Sequence, residues 1–447
     1  MEKKILEFPK EFLFGSATAA HQVEGNEGER NTDWDVFMKQ YPEIINMHEK
    51  GPEWWKPGRA EHDIQTMANL GMKVQRIGVS WGRIEPQKGN INLEAVARYK
   101  EVIKKIIDSG MIPMITLNHY VLPQWVAREG SWNNKRTIGH FEHFVKFAAL
   151  EFPEVKYWLT LNEPNILVIL GYFSKYYPPA KNNILSASVA RWNMIEAHKR
   201  AYRKLKYISP MSRVGMTFAF RWNLPEHENF VLDKWYAQLV NHISVGSYVE
   251  ATKKYMDFIG CNYYTGYYLN LDIRKLKFRA RHTDKVTAKT LLFGETREPA
   301  SYKSDYGWPI VPDFFLEVLR YLHRTFNLPI IITENGLADK EDKRRSFYIL
   351  THLVAVWRAM QEGAKIEQYL HWSTVDNLEW ILGYTKDFGL IDNNPITGER
   401  KLRRSAHLYS EIAKESKIDV DKLISKYLLK EEGEKAHEII EKMLTER

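Results

Sequence analysis

Eight short apolar, β-rich runs, each followed by an amphipathic stretch of helical period, constrain this 447-residue chain more than any other feature. The runs fall at 12–19, 73–79, 111–117, 156–161, 213–218, 257–263, 329–333 and 366–371. A representative intervening helix is predicted over 93–108. Leu93, Val96, Val102, Ile103, Ile106 and Ile107 supply a broad apolar face, Asn92 stands at the N-cap and Gly110 lies just past the end. Strand and helix alternating eight times predict an α/β protein, a single (β/α)8 TIM barrel with long βα loops. A doubly wound sheet shares this periodicity, because strand order is not written in a sequence. At roughly 150 residues per domain the length alone would suggest about three domains. No linker, low-complexity segment or repeat of fixed period divides the chain, so we read 1–447 as one barrel domain. Within it, 412–447 is read as a helical extension packed on the barrel, with Ala436, Ile439, Ile440, Met443 and Leu444 on one face.

Composition narrows the class. Apolar residues at 44% and charged residues at 27% are the proportions of a soluble protein with a sizeable core. The net charge of +8 is spread among interspersed signs, which argues against a nucleic-acid partner. The one dense basic run, Arg274, Lys275, Lys277, Arg279 and Arg281, reads as a solvated loop. Cys261 is the single cysteine, so no intrachain disulfide can form, and no Cys/His cluster has zinc spacing. His140 and His143 have metal-like spacing but no third ligand, and read as surface histidines; no metal site is expected. No apolar stretch approaches the ~20 residues of a membrane span, and the first residues carry no signal-peptide apolar core. A cytoplasmic protein without stable membrane insertion is the expectation. Aromatics reach 13%, and flat apolar faces with polar edges serve both cores and ligand sites. Trp54, Trp55, Trp132, Trp192 and Trp222 read as core.

A barrel of this kind carries its chemistry at the C-terminal ends of its strands. Polar and aromatic residues track those ends in series: Gln22, Arg76, His119, Asn162 with Glu163, Tyr264, Glu334, and Trp372 with Glu379 and Trp380. Glu163 and Glu334 matter most. A carboxylate ending an apolar strand is costly unless it has a partner or a task. Two of them converging on one barrel mouth suit glycosidic bond cleavage, where one acid protonates the leaving oxygen and one carboxylate attacks the anomeric carbon. Two unrelated salt-bridged glutamates are the alternative.

With these residues in view, the sequence resembles glycoside hydrolase family 1, the retaining β-glycosidases, over most of 8–411. Residues 12–25 read Phe-Leu-Phe-Gly-Ser-Ala-Thr-Ala-Ala-His-Gln-Val-Glu-Gly, similar to the family's N-terminal signature. Asn162-Glu163-Pro164 and Thr333-Glu334-Asn335-Gly336 resemble its acid/base and nucleophile motifs. Residues 76–83 (Arg-Ile-Gly-Val-Ser-Trp-Gly-Arg), Asn262-Tyr263-Tyr264-Thr265, and the stretch from His371-Trp372-Ser373 to Asp376-Asn377-Leu378-Glu379-Trp380 add to the likeness. The resemblance implies that Glu334 is the nucleophile, supported by Arg76 and Tyr264, and that Glu163 is the general acid that later acts as base. Their carboxylates should lie about 5 to 5.5 Å apart for retention. Asn162 would contact the sugar 2-hydroxyl. Gln22, His119, Glu379 and Trp380 would line the glycone hydroxyls, Trp372 would give the sugar a face, and Trp308 would flank the leaving group. No cofactor is implied, and the partner is a small β-glycoside or oligosaccharide.

Two positions depart from the family pattern. Tyr120 follows the sugar-binding His119 where the family commonly has Trp, which suggests a shifted glycone preference. The fifth strand ends Phe218-Ala219-Phe220-Arg221-Trp222 with no Asn before Asn223, which hints at an apolar leaving-group subsite. The expected activity is exo-acting, retaining hydrolysis of terminal β-glucosides and of related galactosides or fucosides. The carboxylate of Glu379 disfavours a 6-phospho-β-glycosidase, since it would repel phosphate. That enzyme or a transglycosylating relative is the alternative within the class, and a non-catalytic sugar-binding barrel the alternative outside it.

Overall fold

The computed structural model describes residues 4–43, 51–269, 296–297 and 302–445. Its centre is a closed barrel of eight parallel strands: β1 Leu13–Ala17, β2 Val74–Gly78, β3 Ile112–Asn118, β4 Tyr157–Asn162, β5 Arg213–Ala219, β6 Phe258–Tyr263, β7 Ile330–Asn335 and β8 Ile366–Trp372. Each strand pairs with the next, and β8 closes on β1 through the register Tyr369 with Phe14 and Trp372 with Ala17. The doubly wound alternative is thereby excluded. The strands are nearly continuous apolar runs because both their faces are buried, one toward the barrel axis and one against helices. Cys261 sits on β6 as a buried free thiol.

The helices α1 Leu93–Asp108, α2 Arg136–Glu151, α3 Ile184–Ile208, α4 Pro312–Phe326 and α5 Arg345–Gln361 belong to the outer ring. In α1 the Asn92 side chain accepts from the Ala95 N–H at 3.1 Å, and Gly110 turns the chain with a left-handed φ of 76°. Val96, Val102, Ile103 and Ile106 are buried as expected, whereas Leu93 and Ile107 lie on the exposed side. At 100° per residue both fall off the edge of the stripe the other four define. Trp54, Trp132 and Trp222 pack in the core, and Trp55 is half-buried beneath the Arg83 guanidinium at 3.9 Å. Trp192 departs from that reading. It is 61% exposed on α3, on the helix side turned away from the buried Met194, Ala197 and Ala201. His140 pairs with Glu129 at 3.0 Å, and among the described residues no group of side chains could hold a metal ion. No described helix is long and apolar enough to cross a membrane. The basic run 274–281 lies outside the described residues.

Beyond α6 Arg404–Glu415, a short strand at Lys417–Asp419 pairs antiparallel with Ile5–Glu7 and ties the two ends of the chain together. The helices α7 Val420–Tyr427 and α8 Lys430–Thr445 follow. The α8 helix packs on α5 through Ala436, Ile440 and Met443, all buried, with Ile439 and Leu444 half-buried at the margin. Ile440→Ala should therefore cost about 2–4 kcal/mol in urea unfolding, while Ile184→Ala, at a side chain 65% exposed, should change stability by less than about 0.5 kcal/mol.

Candidate active site

The site grows from one buried cation. Arg76, on β2, is completely buried and donates to Glu334 Oε1 at 2.7 Å, to the Thr333 carbonyl at 3.0 Å, to Asn162 Oδ1 at 2.7 Å and to Thr116 Oγ1 at 2.9 Å. One guanidinium thus joins β2, β3, β4 and β7. A buried charge is tolerable only when it is well hydrogen-bonded, and here each of the three guanidinium nitrogens meets an acceptor. Glu334 gains a second donor from the Tyr264 hydroxyl at 2.6 Å. The next residues of its motif hold the frame. Asn335 donates to the Tyr263 carbonyl and accepts from Tyr369, and at Gly336 any Cβ would collide with the Trp372 carbonyl.

The amide orientations follow from donors and acceptors. Arg76 can only donate, so Asn162 presents Oδ1 to it and turns Nδ2 to His119 Nε2 at 3.0 Å. His119 therefore accepts at Nε2 and carries its proton on Nδ1. Burial first, and the charge of Arg76 second, hold its pKa well below the usual value, so the ring is neutral. Its Nδ1 is buried without a hydrogen-bond partner among the described residues. Gln22 is built alike. Nε2 donates to Asn377 Oδ1 at 3.0 Å and to the Leu378 carbonyl at 2.7 Å, leaving Oε1 buried and without a partner among the described residues. The open donor of His119 stands beside Trp372 and Trp380, whose rings lie 5.9 and 6.0 Å from its own. At the barrel mouth His119 Nδ1 and Gln22 Oε1 are atoms that a ligand's hydroxyls would satisfy.

Glu163 lies immediately after β4 in a left-handed conformation, φ 44°, with Pro164 opening a short helix behind it. That conformation is costly for a residue with a Cβ and is common at functional sites. Asn262 Nδ2 donates to Glu163 Oε1 at 2.7 Å, and Tyr120 donates to Oε2. The Glu163 pKa is raised to about 8, first by burial and then by the negative charge of Glu334, against the hydrogen bonds from Tyr120 and Asn262 and the charge of Arg76. Glu379, also in the mouth, is raised to about 7 by burial and accepts from Tyr306 at 2.8 Å. Tyr306 stacks on Trp308 at 4.1 Å, and Trp308 lies 6.0 Å from Tyr264.

Every residue singled out in the sequence for the site is therefore at this one mouth. Three further participants carried weaker signals. Asn262 stood in a family-like motif from which only Tyr264 was taken, Tyr306 stood two residues before Trp308, and Tyr120 was marked only as a departure. The Arg83 that ends the 76–83 motif is structural. It binds Glu24 at 2.7 Å, which also accepts from Tyr99, and so fixes the turn carrying Gln22. At the fifth strand's end, Asn223 is bound to Asn241 at 2.9 Å and is not offered to the mouth.

Comparison with known proteins places this geometry. The sequence model of "Glycosyl hydrolase family 1" matches residues 5–254 and 246–418. The chain is 29% identical to beta-glucosidase A of Acetivibrio thermocellus, over 91% of this chain and 98% of that protein. It is 28% identical to a beta-galactosidase of Sulfolobus acidocaldarius, over 93% and 96%. Among solved structures, a beta-glycosidase from Pyrococcus horikoshii superposes with a TM-score of 0.83 at 30% identity, covering 96% of this chain and 99% of that one.

A raised pKa means that the folded protein keeps a proton on Glu163 which the unfolded chain releases near 4.5, so this group's contribution to stability falls as pH rises from there through about 8. Glu163→Gln removes that titration. Its thermal midpoint should exceed the wild type's at pH 8, with the gap closing toward pH 4.5, as scanning calorimetry across that window would read.

Proposed function

The chain belongs to glycosyl hydrolase family 1, a family of retaining β-glycosidases, and on that premise we propose an exo-acting β-glycosidase that removes terminal β-glucosyl and related β-galactosyl or β-fucosyl groups. The observation that carries the reading is the asymmetry of the two buried carboxylates. Glu334 accepts from a guanidinium and a phenol, while Glu163 is pushed toward its neutral form. Glu334 attacks the anomeric carbon as Glu163 gives its proton to the departing oxygen, and a covalent glycosyl-enzyme results. Glycosylation removes the charge of Glu334, so Glu163 becomes more acidic, ionises and takes a proton from the water that releases the sugar. The amide of Asn162, held by Arg76, serves the sugar 2-hydroxyl. Gln22, His119, Glu379 and Trp380 serve the other hydroxyls, Trp372 the apolar face, and Trp308 the leaving-group side. This chemistry needs no metal or cofactor.

Two supports bear on the sugar. Relatives named as a beta-glucosidase and a beta-galactosidase are about equally similar to the chain, and the open Gln22 Oε1 and His119 Nδ1 suit hydroxyls. Glu379 in the same wall would repel a phosphate, and Lys386 nearby is bound to the Asp305 carbonyl at 2.6 Å. The segment 412–447 is read as part of the barrel domain.

The test is an assay on aryl β-glucoside, β-galactoside and 6-phospho-β-glucoside. Activity is expected on at least one unphosphorylated substrate, with kcat/KM falling as pH rises through about 8, where Glu163 loses its proton. Glu334→Gly should lose at least ~10³-fold and be partly rescued by azide with inverted product. Full activity in that variant would refute the nucleophile assignment, and activity on the phosphorylated sugar alone would refute the sugar class.

A further inference from the structure

Among the described residues Tyr120 gives the one hydroxyl hydrogen-bonded to the acid/base carboxylate, and packing alone does not explain it. It immediately follows His119 beyond the end of β3 with a left-handed φ of 72°, a conformation that a bulky side chain adopts only when its surroundings impose it. The ring is 5% exposed and is gripped by His119, Tyr177 and Trp380 at 5.1, 5.6 and 5.2 Å between centroids. Phenylalanine would fill that space. The phenol adds one thing, a hydrogen bond donated to Glu163 Oε2.

The neighbours decide what this bond does. Arg76 makes Asn162 Oδ1 an acceptor, and Asn262 lies against both Asn162 Oδ1 and Glu163 Oε1, so Asn262 must turn its NH₂ toward them. Its own Oδ1 accepts from Thr333 at 2.7 Å, in agreement. Glu163 Oε1 is thereby committed as an acceptor, and a proton on the neutral acid belongs on Oε2, the oxygen that Tyr120 touches.

We propose that Tyr120 is a positioning residue of the acid/base, its hydroxyl fixing the place of Glu163 Oε2 and donating to the carboxylate that forms as the proton leaves. The inference rests on the acid/base reading of Glu163. In the step itself the Oε2–H bond breaks, the proton goes to the glycosidic oxygen, and the electron pair of the C1–O bond leaves with that oxygen. The Tyr120 O–H stays intact. Its hydrogen bond to Oε2 strengthens as that oxygen gains charge, so it stabilises the transition state more than the ground state. The other groups facing Glu163 are Glu334, Arg76, Asn262, Tyr177 and Tyr264. Burial holds all three phenols well above their usual pKa, so none exchanges its proton in the working range.

The experiment compares wild type, Tyr120→Phe, Glu163→Gln and the double variant on methyl, p-nitrophenyl and 2,4-dinitrophenyl glycosides of the preferred sugar. Tyr120→Phe should lose about tenfold in kcat/KM on the methyl glycoside, which needs the proton, and less than about threefold on the dinitrophenyl glycoside, which does not. Its basic pH limb should move up by about one unit, because the carboxylate has lost a donor. Added to Glu163→Gln, the same change should cost less than about threefold on the p-nitrophenyl substrate. An unmoved basic limb, an equal loss on good and poor leaving groups, a change confined to KM, or full additivity with Glu163→Gln would each overturn the proposal. If Glu163→Gln itself kept wild-type activity on the methyl glycoside, the acid/base reading would fall instead. Should Tyr120→Phe not fold, Tyr120→Leu, which carries no hydrogen-bond donor, is read in the same way.

Discussion

A guanidinium without access to water is the constraint on which this site depends. Arg76 is sealed inside the barrel mouth, and the penalty for stripping its hydration is offset only because side chains and a carbonyl from three other strands meet its donors. The same contacts that make the cation tolerable aim the site. Glu334 is held against the guanidinium, Asn162 is turned so that its amide faces His119, and that choice sets the tautomer of the histidine. Polarity is passed outward from one charge by the rule that donors meet acceptors.

A second consequence is the separation of two carboxylates by environment. Glu334 sits on Arg76 and Tyr264, whereas Glu163 sits beyond the cation's direct reach, buried and in the field of Glu334. Two residues of the same type thus stand in unlike surroundings, one against a cation and a phenol and the other pushed toward its neutral form. The backbone contributes as well. Glu163, Tyr120 and Trp380 all have left-handed φ values, and each turns its side chain inward from a segment leaving a strand end. The segment that carries Trp380 is held by Gln22 on Asn377, and the turn of Gln22 is held in its place by Arg83 on Glu24.

Much of this was legible in the sequence. All eight strands appear where apolar runs were bounded, because strands buried on both faces need apolar residues along their whole length. Glu163 and Glu334 stood out because a carboxylate ending an apolar run has no packing explanation, and Arg76 and Tyr264 came with the motifs. What escaped was pairing at a distance. Trp192 reads like any core tryptophan until the rotation of α3 puts it outside. Asn262, Tyr306 and Tyr120 acquire their roles only from which carboxylate each one meets, and the family-like pattern around Tyr120 flagged a difference without its meaning.

By itself the sequence determined the barrel's strands and helices, the residue types of the candidate site and the end of the strands on which they stand, since these follow from local periodicity and short motifs. The tertiary structure decided that the strands close into a ring and not an open sheet, that one guanidinium reaches three other strands, and that Tyr120 touches a carboxylate 43 residues away. The physical reason is common to all three. Hydrogen bonds and charge burial are settled at about 3 Å, and the distance between residues far apart in a chain is fixed only when the whole barrel has closed around them.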